Sequence, residues 1–518
     1  MKAHHLLGVL AWCSGCQCVQ LSDYKVLASD GGEDGLITET DAGATDAGEP
    51  GCVPDGAVDV IDALGDDSDC DGTDGVATRQ LYVSSTLGND ATAQPGNPAR
   101  PYATLKAAFG VLRATDAGAF DALLVATGQY SEEEVSWDTN VDVYGGRSGA
   151  GTWPASGAPS SLLGGNVGLI VQGVQGRALH AFQVRAAAAD FSKASIGAVV
   201  VDGSPAFIDV ELVGGSGGAG IPGGDDPIPD AGPGLPGTAT AQGTTTQNPG
   251  PPGVCGGDPG FAGGQPGNGA ADGQKGDGPD GGAGGPQRSC GGPGRSPVGD
   301  GAEGAAGEEG VPGADPIAFG SLAGKWLWID ADGFSGGPGG PGKPGEGGGG
   351  GGGSAIANDP ASWSGGSGGS GGCPGGGGQG GRSGGPSFGL LVRSGRPVLG
   401  GRTTVQARAG GAGGAGGSGA LGYPGGSSGV AAQENTTQCV GMVRRYGKGG
   451  EGGRGGAGGH GGPGGGGAGG HSIAVFCEND AGFELDAGVL INGQPGDGGA
   501  GLPGARVGLS AATYGCSP

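Results

Sequence analysis

The chain has 518 residues, of which 138 are glycine and 36 proline, about a third of the backbone, while Phe, Trp and Tyr together supply 5%. That composition excludes an ordinary globular domain, because residues this small cannot fill a conventional core. A formal charge of −26 makes the surface strongly acidic and argues against nucleic acid as a partner.

Lys2 is followed by an apolar stretch from Leu6 to Trp12 and then by Cys13-Ser14-Gly15-Cys16, the order of a secretory signal: basic start, short hydrophobic run, small residues. A run this short cannot span a bilayer. Ser14-Gly15-Cys16 resembles the end of a bacterial lipobox, which is cut before a cysteine that carries diacylglycerol. Residues 1–15 therefore read as a signal peptide and Cys16 as the lipidation site, giving a membrane attachment through the N-terminus and a place on the bacterial outer membrane or cell surface. Cys13 stands where the lipobox usually has an aliphatic residue, which keeps plain secretion open as the other reading. Either way the chain is exported, and cysteines of exported proteins are used as disulfides. Of the cysteines after Cys16, nearness in sequence groups Cys52 with Cys70, Cys255 with Cys290, and Cys439 with Cys477, although sequence alone does not fix connectivity.

Residues 16–50 are small, acidic and without hydrophobic period, which reads as a tether. Residues 51–79 form an Asp-rich, Cys-containing module. Within it Asp67, Asp69 and Asp71 alternate ahead of Gly72, with Asp74 close behind, and such a loop can turn carboxylates onto one cation. Calcium is the cofactor this pattern fits. The twelfth position counted from Asp67 is Thr78 where an EF-hand has a bidentate Glu, so a complete EF-hand is excluded. An acidic, disulfide-pinned linker accounts for the same residues.

From Gln80 the texture changes. Leu81-Tyr82-Val83 predicts a strand, and Thr104 predicts the N-cap of a short helix with Leu105, Ala108, Phe109 and Leu112 on one face. Leu123–Ala126, Gly128–Tyr130 and Val141–Tyr144, each closed by glycine turns, predict further strands. The segments Tyr82–Phe109 and Leu123–Glu133 resemble the N-terminal part of bacterial right-handed parallel β-helix proteins of the pectate-lyase-like superfamily, in which a strand, a Gly-Asn-Asp loop and a capping helix precede the first coil. Asp67–Gly75 and Val141–Gly146 are similar to parts of uncharacterised exported bacterial proteins built on that plan. The resemblance covers residues 52–213 and implies an all-β fold, a right-handed parallel β-helix. It says nothing of substrate, because the superfamily includes lyases, hydrolases, adhesins and scaffolds.

Internal repetition argues independently for coils. Three segments begin alike, at Ser195, Ser387 and Ser472, each followed by a second apolar stretch (Phe207–Val213, Thr403–Ala409, Phe483–Ile491) and by an exit glycine at 214, 410 or 493. A lone coil cannot bury its inward side chains, so the three must stack although hundreds of residues part them. Trp326–Ile329 looks like half of another coil. The domain plan is thus a β-helix cap and first coils over 80–213, a glycine-rich insertion over 214–386, a coil over 387–409, a second glycine-rich insertion over 410–471, and a C-terminal coil and tail over 472–518. Ninety-nine of the glycines fall in 214–471, several runs with a period of three, as in polyproline II. When two of three residues are glycine, extended threefold helices can approach and exchange backbone hydrogen bonds sideways; a flexible linker is the competing reading.

Chemistry is sparse. Beyond the signal the histidines are His180, His460 and His471, with no metal-ligand spacing, no serine elbow and no phosphate-binding loop. Asp202, Asp209 and Glu211 are the acids of the first recognised coil, and a period of two places Asp209 and Glu211 on one strand face, the geometry a paired-carboxylate glycosidase needs. No catalytic residues are assigned. The expected role is a non-catalytic structural or adhesive surface protein meeting polysaccharide or cell-envelope components; the alternative is a carbohydrate-active enzyme, a polysaccharide lyase or glycoside hydrolase on the same scaffold.

Overall fold

The computed structural model describes residues 61–62, 74–116, 118–225, 232–238, 366–430, 451–478, 481–500 and 505–517, with short pieces between 251 and 306 and between 436 and 445. The signal, the tether, Cys52, Cys70 and Trp326–Ile329 lie outside them.

β1 (Gln80–Val83) leads through a loop to α1 (Leu105–Ala114), capped as its sequence predicts: the Thr104 side chain accepts from the Ala107 amide, and Leu105, Ala108, Phe109 and Leu112 are buried. Two loop acids complete the cap. Glu132 accepts from the Leu105 and Lys106 amides at 2.8 and 2.9 Å, and Asp90 from Ala103 at 2.7 Å, so the first-turn N–H groups have anionic partners.

The chain then circulates. β2 (Ala122–Ala126), β3 (Gln129–Ser131) and β4 (Ser136–Trp137) make one circuit, β5 (Asp142–Arg147), β6 (Ser160–Leu163) and β7 (Val167–Gln172) the next, and β8 (Gln175–His180), β9 (Phe182–Arg185) and β10 (Ser195–Val201) a third. β11 (Ser204–Ile208) and β12 (Glu211–Val213) begin another circuit that β15 (Ser387–Val392) completes far along the chain, after the short antiparallel pair β13 (Val254–Cys255) and β14 (Asp258–Pro259). β16 (Val398–Gly400) and β17 (Thr403–Gln406) are completed by β20 (Ser472–Cys477), after the antiparallel pair β18 (Thr436–Cys439) and β19 (Met442–Arg445). β21 (Glu484–Leu485) and β22 (Gly488–Ile491) are completed by β23 (Ser510–Tyr514).

Every circuit visits the same three parallel sheets, of seven strands (β1-β2-β5-β8-β11-β16-β21), six (β3-β6-β9-β12-β17-β22) and six (β4-β7-β10-β15-β20-β23). The fold is all-β and parallel β-helix-like. Ser195, Ser387, Ser472 and Ser510 are register partners, so the segments that begin alike do stack. Two of the second apolar stretches differ from expectation: Phe207–Val213 and Phe483–Ile491 each reach across two strands, one in each of the other sheets, separated by a corner, whereas Thr403–Ala409 holds β17 alone.

Inward side chains form ladders, as parallel strands buried on both faces require. Leu81, Leu123, Val143, Leu179, Phe207 and Leu399 line one wall, Trp137, Val171, Val200 and Val392 another, and Tyr130, Leu162, Val184, Leu212 and Val405 the third, all in one buried cluster. Each such side chain contributes about 1.5–3 kcal/mol of burial. The third sheet is also covered on its outer face, where Ile196, Phe388, Leu391 and Ile473 are buried.

Two disulfides differ from the sequence grouping. Cys255 bonds Cys373 instead of Cys290, and Cys477 bonds Cys516 instead of Cys439. The reason is the fold: strand stacking brings β20 to the C-terminal strand, with Cα atoms of Cys477 and Cys516 4.7 Å apart, whatever their separation in sequence.

Candidate functional site

Two features could carry function: the polar outer face of the seven-stranded sheet and the glycine-rich segments that join β12 to β15, β17 to β20 and β22 to β23.

On the seven-stranded sheet, Tyr82, Leu124, Tyr144, His180, Ile208 and Gly400 form one outward row. Its first members pack with Ala122, Ala126 and Trp153 in a second small apolar cluster. Arg147 closes this cluster. Its guanidinium lies 5.3 Å from the centre of the Tyr144 ring and 3.0 Å from Asp74, with both charged side chains almost wholly buried. The Asp62 amide also donates to Asp74 at 3.1 Å, and the Arg147 guanidinium donates to the Asp62 carbonyl. Burial pushes the Asp74 carboxyl up to about 6 against the attraction of Arg147. Of the four carboxylates singled out for calcium, Asp74 is thus held by an arginine, while Asp67, Asp69 and Asp71 lie outside the described residues. No group of three His, Cys, Asp or Glu side chains among the described residues is gathered as for a metal ion.

His180 stacks on Tyr144, ring centroids 4.7 Å apart and planes nearly parallel. Burial lowers its basicity, opposed by the charges of Asp142 and Asp209, and burial raises the Tyr144 phenol to about 12. Both acids have partners in neighbouring coils. Asp142 accepts from the Ala178 amide at 2.7 Å and pairs with Arg177 at 3.2 Å. Asp209 accepts from the Arg402 amide at 2.8 Å, which holds its carboxyl below the usual range.

The expected pairing of Asp209 with Glu211 on one strand face is not found. Asp209 occupies the corner after β11 with φ of 55°, whereas Glu211 lies on β12 in another sheet and pairs with Arg185 at 3.2 Å. Asp202, at the preceding corner with φ of 52°, accepts from the Ser394 hydroxyl at 2.6 Å. The three acids therefore fasten one coil to the next. Sequence reading missed this because a corner interrupts the period of two, and an Asp with positive φ has no local signal apart from its tolerance of that conformation.

The glycine-rich segments share one corner, the passage from the second sheet (β3 to β22) to the third (β4 to β23). Adjacent connections therefore start side by side, and their backbones bond with a period of three. From 411 to 429 the amides of Gly411, Gly414, Gly417, Ala420, Tyr423, Gly426 and Gly429 donate to the carbonyls of Gly385, Arg382, Gln379, Gly376, Cys373, Ser370 and Ser367, an antiparallel ladder. Amides of Gly369, Gly372, Gly375, Gly378 and Gly381 donate to Gly453, Gly456, Gly459, Gly462 and Gly465, a parallel one. Further rungs join 217–223, Gly234 and Gly237 to 409–427, 452–470 to 411–429, and Gly410 and Gly413 to 494–497. The run 366–376 is buried throughout. Glycine is required here by approach: a Cβ on Gly461 would lie 1.8 Å from the Gly376 carbonyl oxygen, and one on Gly458 1.9 Å from that of Cys373. Cys255–Cys373 ties a further segment to this layer. Of the glycine-rich runs with a period of three, 336–353 lies outside the described residues, and the described part of 449–466, from 451 onward, takes part in the ladders.

No family model matches the chain, and no curated protein matches it. Among solved structures, the crystal structure of the native GH136 lacto-N-biosidase from Eubacterium ramulus aligns at 12% identity with a TM-score of 0.15, covering 26% of this chain and 30% of that one. So slight a likeness bears on neither fold nor activity. The disulfides agree with an exported, oxidising setting. No helix among the described residues is long and apolar enough to cross a membrane.

Proposed function

We propose that this is a non-catalytic, exported surface protein in which a right-handed β-helix carries a sheaf of glycine-rich, polyproline II-like helices as a rigid structural or adhesive face. The observation that supports this reading is the period-three ladder of backbone hydrogen bonds, which converts the glycine from flexible linker into a packed layer. Its outer row is regular: Ala412, Ser418, Leu421, Pro424, Ser427 and Val430 are exposed at steps of three or six, a repeat of about 9 Å per three residues. Such an uncharged, periodic face suits a repeating polymer such as polysaccharide. Anchoring through lipidated Cys16, and calcium held by Asp67, Asp69 and Asp71, belong to the same proposal. The carbohydrate-active alternative is weakened, since Asp202, Asp209 and Glu211 each have a structural partner.

The test is a polysaccharide panel incubated with the full ectodomain, with and without calcium, scoring retention on the glycan and release of new reducing or unsaturated ends. Retention without cleavage supports adhesion. Cleavage overturns the non-catalytic reading, and failure to bind any glycan overturns the polysaccharide partner while leaving a structural coat.

A further inference from the structure

His471 immediately precedes β20 and joins three segments. Its carbonyl accepts from the Ser387 amide at 2.8 Å, at the start of β15, and its Nδ1 accepts from the Leu509 amide at 2.7 Å, at the start of β23. The Ser472 amide returns a bond to the Leu509 carbonyl at 2.8 Å, so two residues clamp the final strand onto its neighbour. A backbone amide carries one proton and can only donate. Nδ1 must therefore be bare, and an imidazolium, which donates from both nitrogens, cannot take its place.

We propose that His471 is an acid-operated latch: protonation of Nδ1 turns the acceptor of the Leu509 N–H into a second donor and releases the start of β23 from β20. The Cys477–Cys516 disulfide keeps the released strand attached, so the opening is reversible and uncovers the edge of β20 without losing the C-terminus. Ser510 and Gly508 hold the same segment through neutral hydrogen bonds to the Gly493 and Gly496 carbonyls, which do not titrate.

The sign follows from burial. The charged residues on the neighbouring segments are Arg408, Asp497 and Arg506, yet burial alone is the cause that lowers His471, to about 4 from 6.5. A group lowered in this way favours the closed form above pH 6.5, and the advantage is lost as pH falls towards 4. Between pH 8 and pH 5 the opening constant of β23 rises about 30-fold.

The test is hydrogen exchange on the full chain at pH 8, 6.5 and 5, with protection referred to the intrinsic rate at each pH. Amides of 510–514 should lose protection about 30-fold by pH 5, those of β7 should not, and His471→Gln, whose side-chain oxygen accepts without titrating, should keep protection at pH 5. Constant protection of β23, an equal loss in β7, or an equal loss in His471→Gln overturns the latch. Should the variant not fold, the comparison of β23 with β7 in the unaltered chain still decides.

Discussion

The Ser394 hydroxyl donates to the Asp202 carboxylate at 2.6 Å across 192 residues of sequence. The amide of Asp202 in turn donates to the Ser394 hydroxyl at 2.8 Å, so two corners of adjacent coils are locked in both directions. Most of the residues between them belong to a glycine-rich segment, which shows that the coils, and not the chain order, set the neighbours.

The layer distinguishes sharply between glycines that face a neighbouring backbone and positions that face outward. Gly461→Ala drives a methyl group into the Gly376 carbonyl and should destabilise the layer by about 1–3 kcal/mol, whereas replacing exposed Ala457 with Ser should change it by less than about 0.5 kcal/mol. Amide protection over 366–385 reads both.

Ser472 is a buried joint: its hydroxyl donates to the Arg408 carbonyl and accepts from the Gly493 amide, each at 2.7 Å. Ser472→Ala leaves both groups without that partner and should cost about 1–3 kcal/mol. Ser472→Thr, which keeps the hydroxyl, should recover part of that loss in a denaturant titration if the extra methyl fits.

Arg147 and Asp74 should behave as a pair. Arg147→Met strands a buried carboxylate and should cost about 3–5 kcal/mol, while the double replacement with Asp74→Asn should cost less than the sum of the two single changes. A double-mutant cycle by urea unfolding measures the coupling.

His180 gives the outer face a pH dependence of known sign. Burial lowers it, so its contribution to stability is complete above the ordinary histidine range, near 6.5, and declines as pH falls below that. Asp209→Asn removes a charge that opposes this lowering while keeping the acceptor of the Arg402 amide, and should lower His180 further. Proton NMR titration of the ring checks the direction; an upward shift would contradict it.

The capping helix was legible at residue level, because Thr104 and the spacing of Leu105, Ala108, Phe109 and Leu112 express a purely local rule. The stacking of Ser195, Ser387 and Ser472 was legible from repetition, since residues that share a place in a coil share its hydrogen bonds. The division of Phe207–Val213 into two strands was not, for β12 is only three residues long and is separated from β11 by a two-residue corner that no glycine or proline announces. The disulfide partners were hidden for a related reason: closeness of Cys255 to Cys373 is created by segments packing side by side, which leaves no trace in spacing. On the outer face the acids were visible but their partners were not, because Arg402 and Ser394 come from the next coil.

Because each glycine-rich leg meets its neighbours once every three residues, the layer has a reading frame of its own. Adding or removing three residues from one leg slides the next triplet into an identical environment. Adding one or two turns an outward Arg454 or His460 position toward a backbone with no room for a side chain. Length variation in these legs should therefore be accepted in whole triplets, so that the layer can lengthen without disturbing the coils from which it springs.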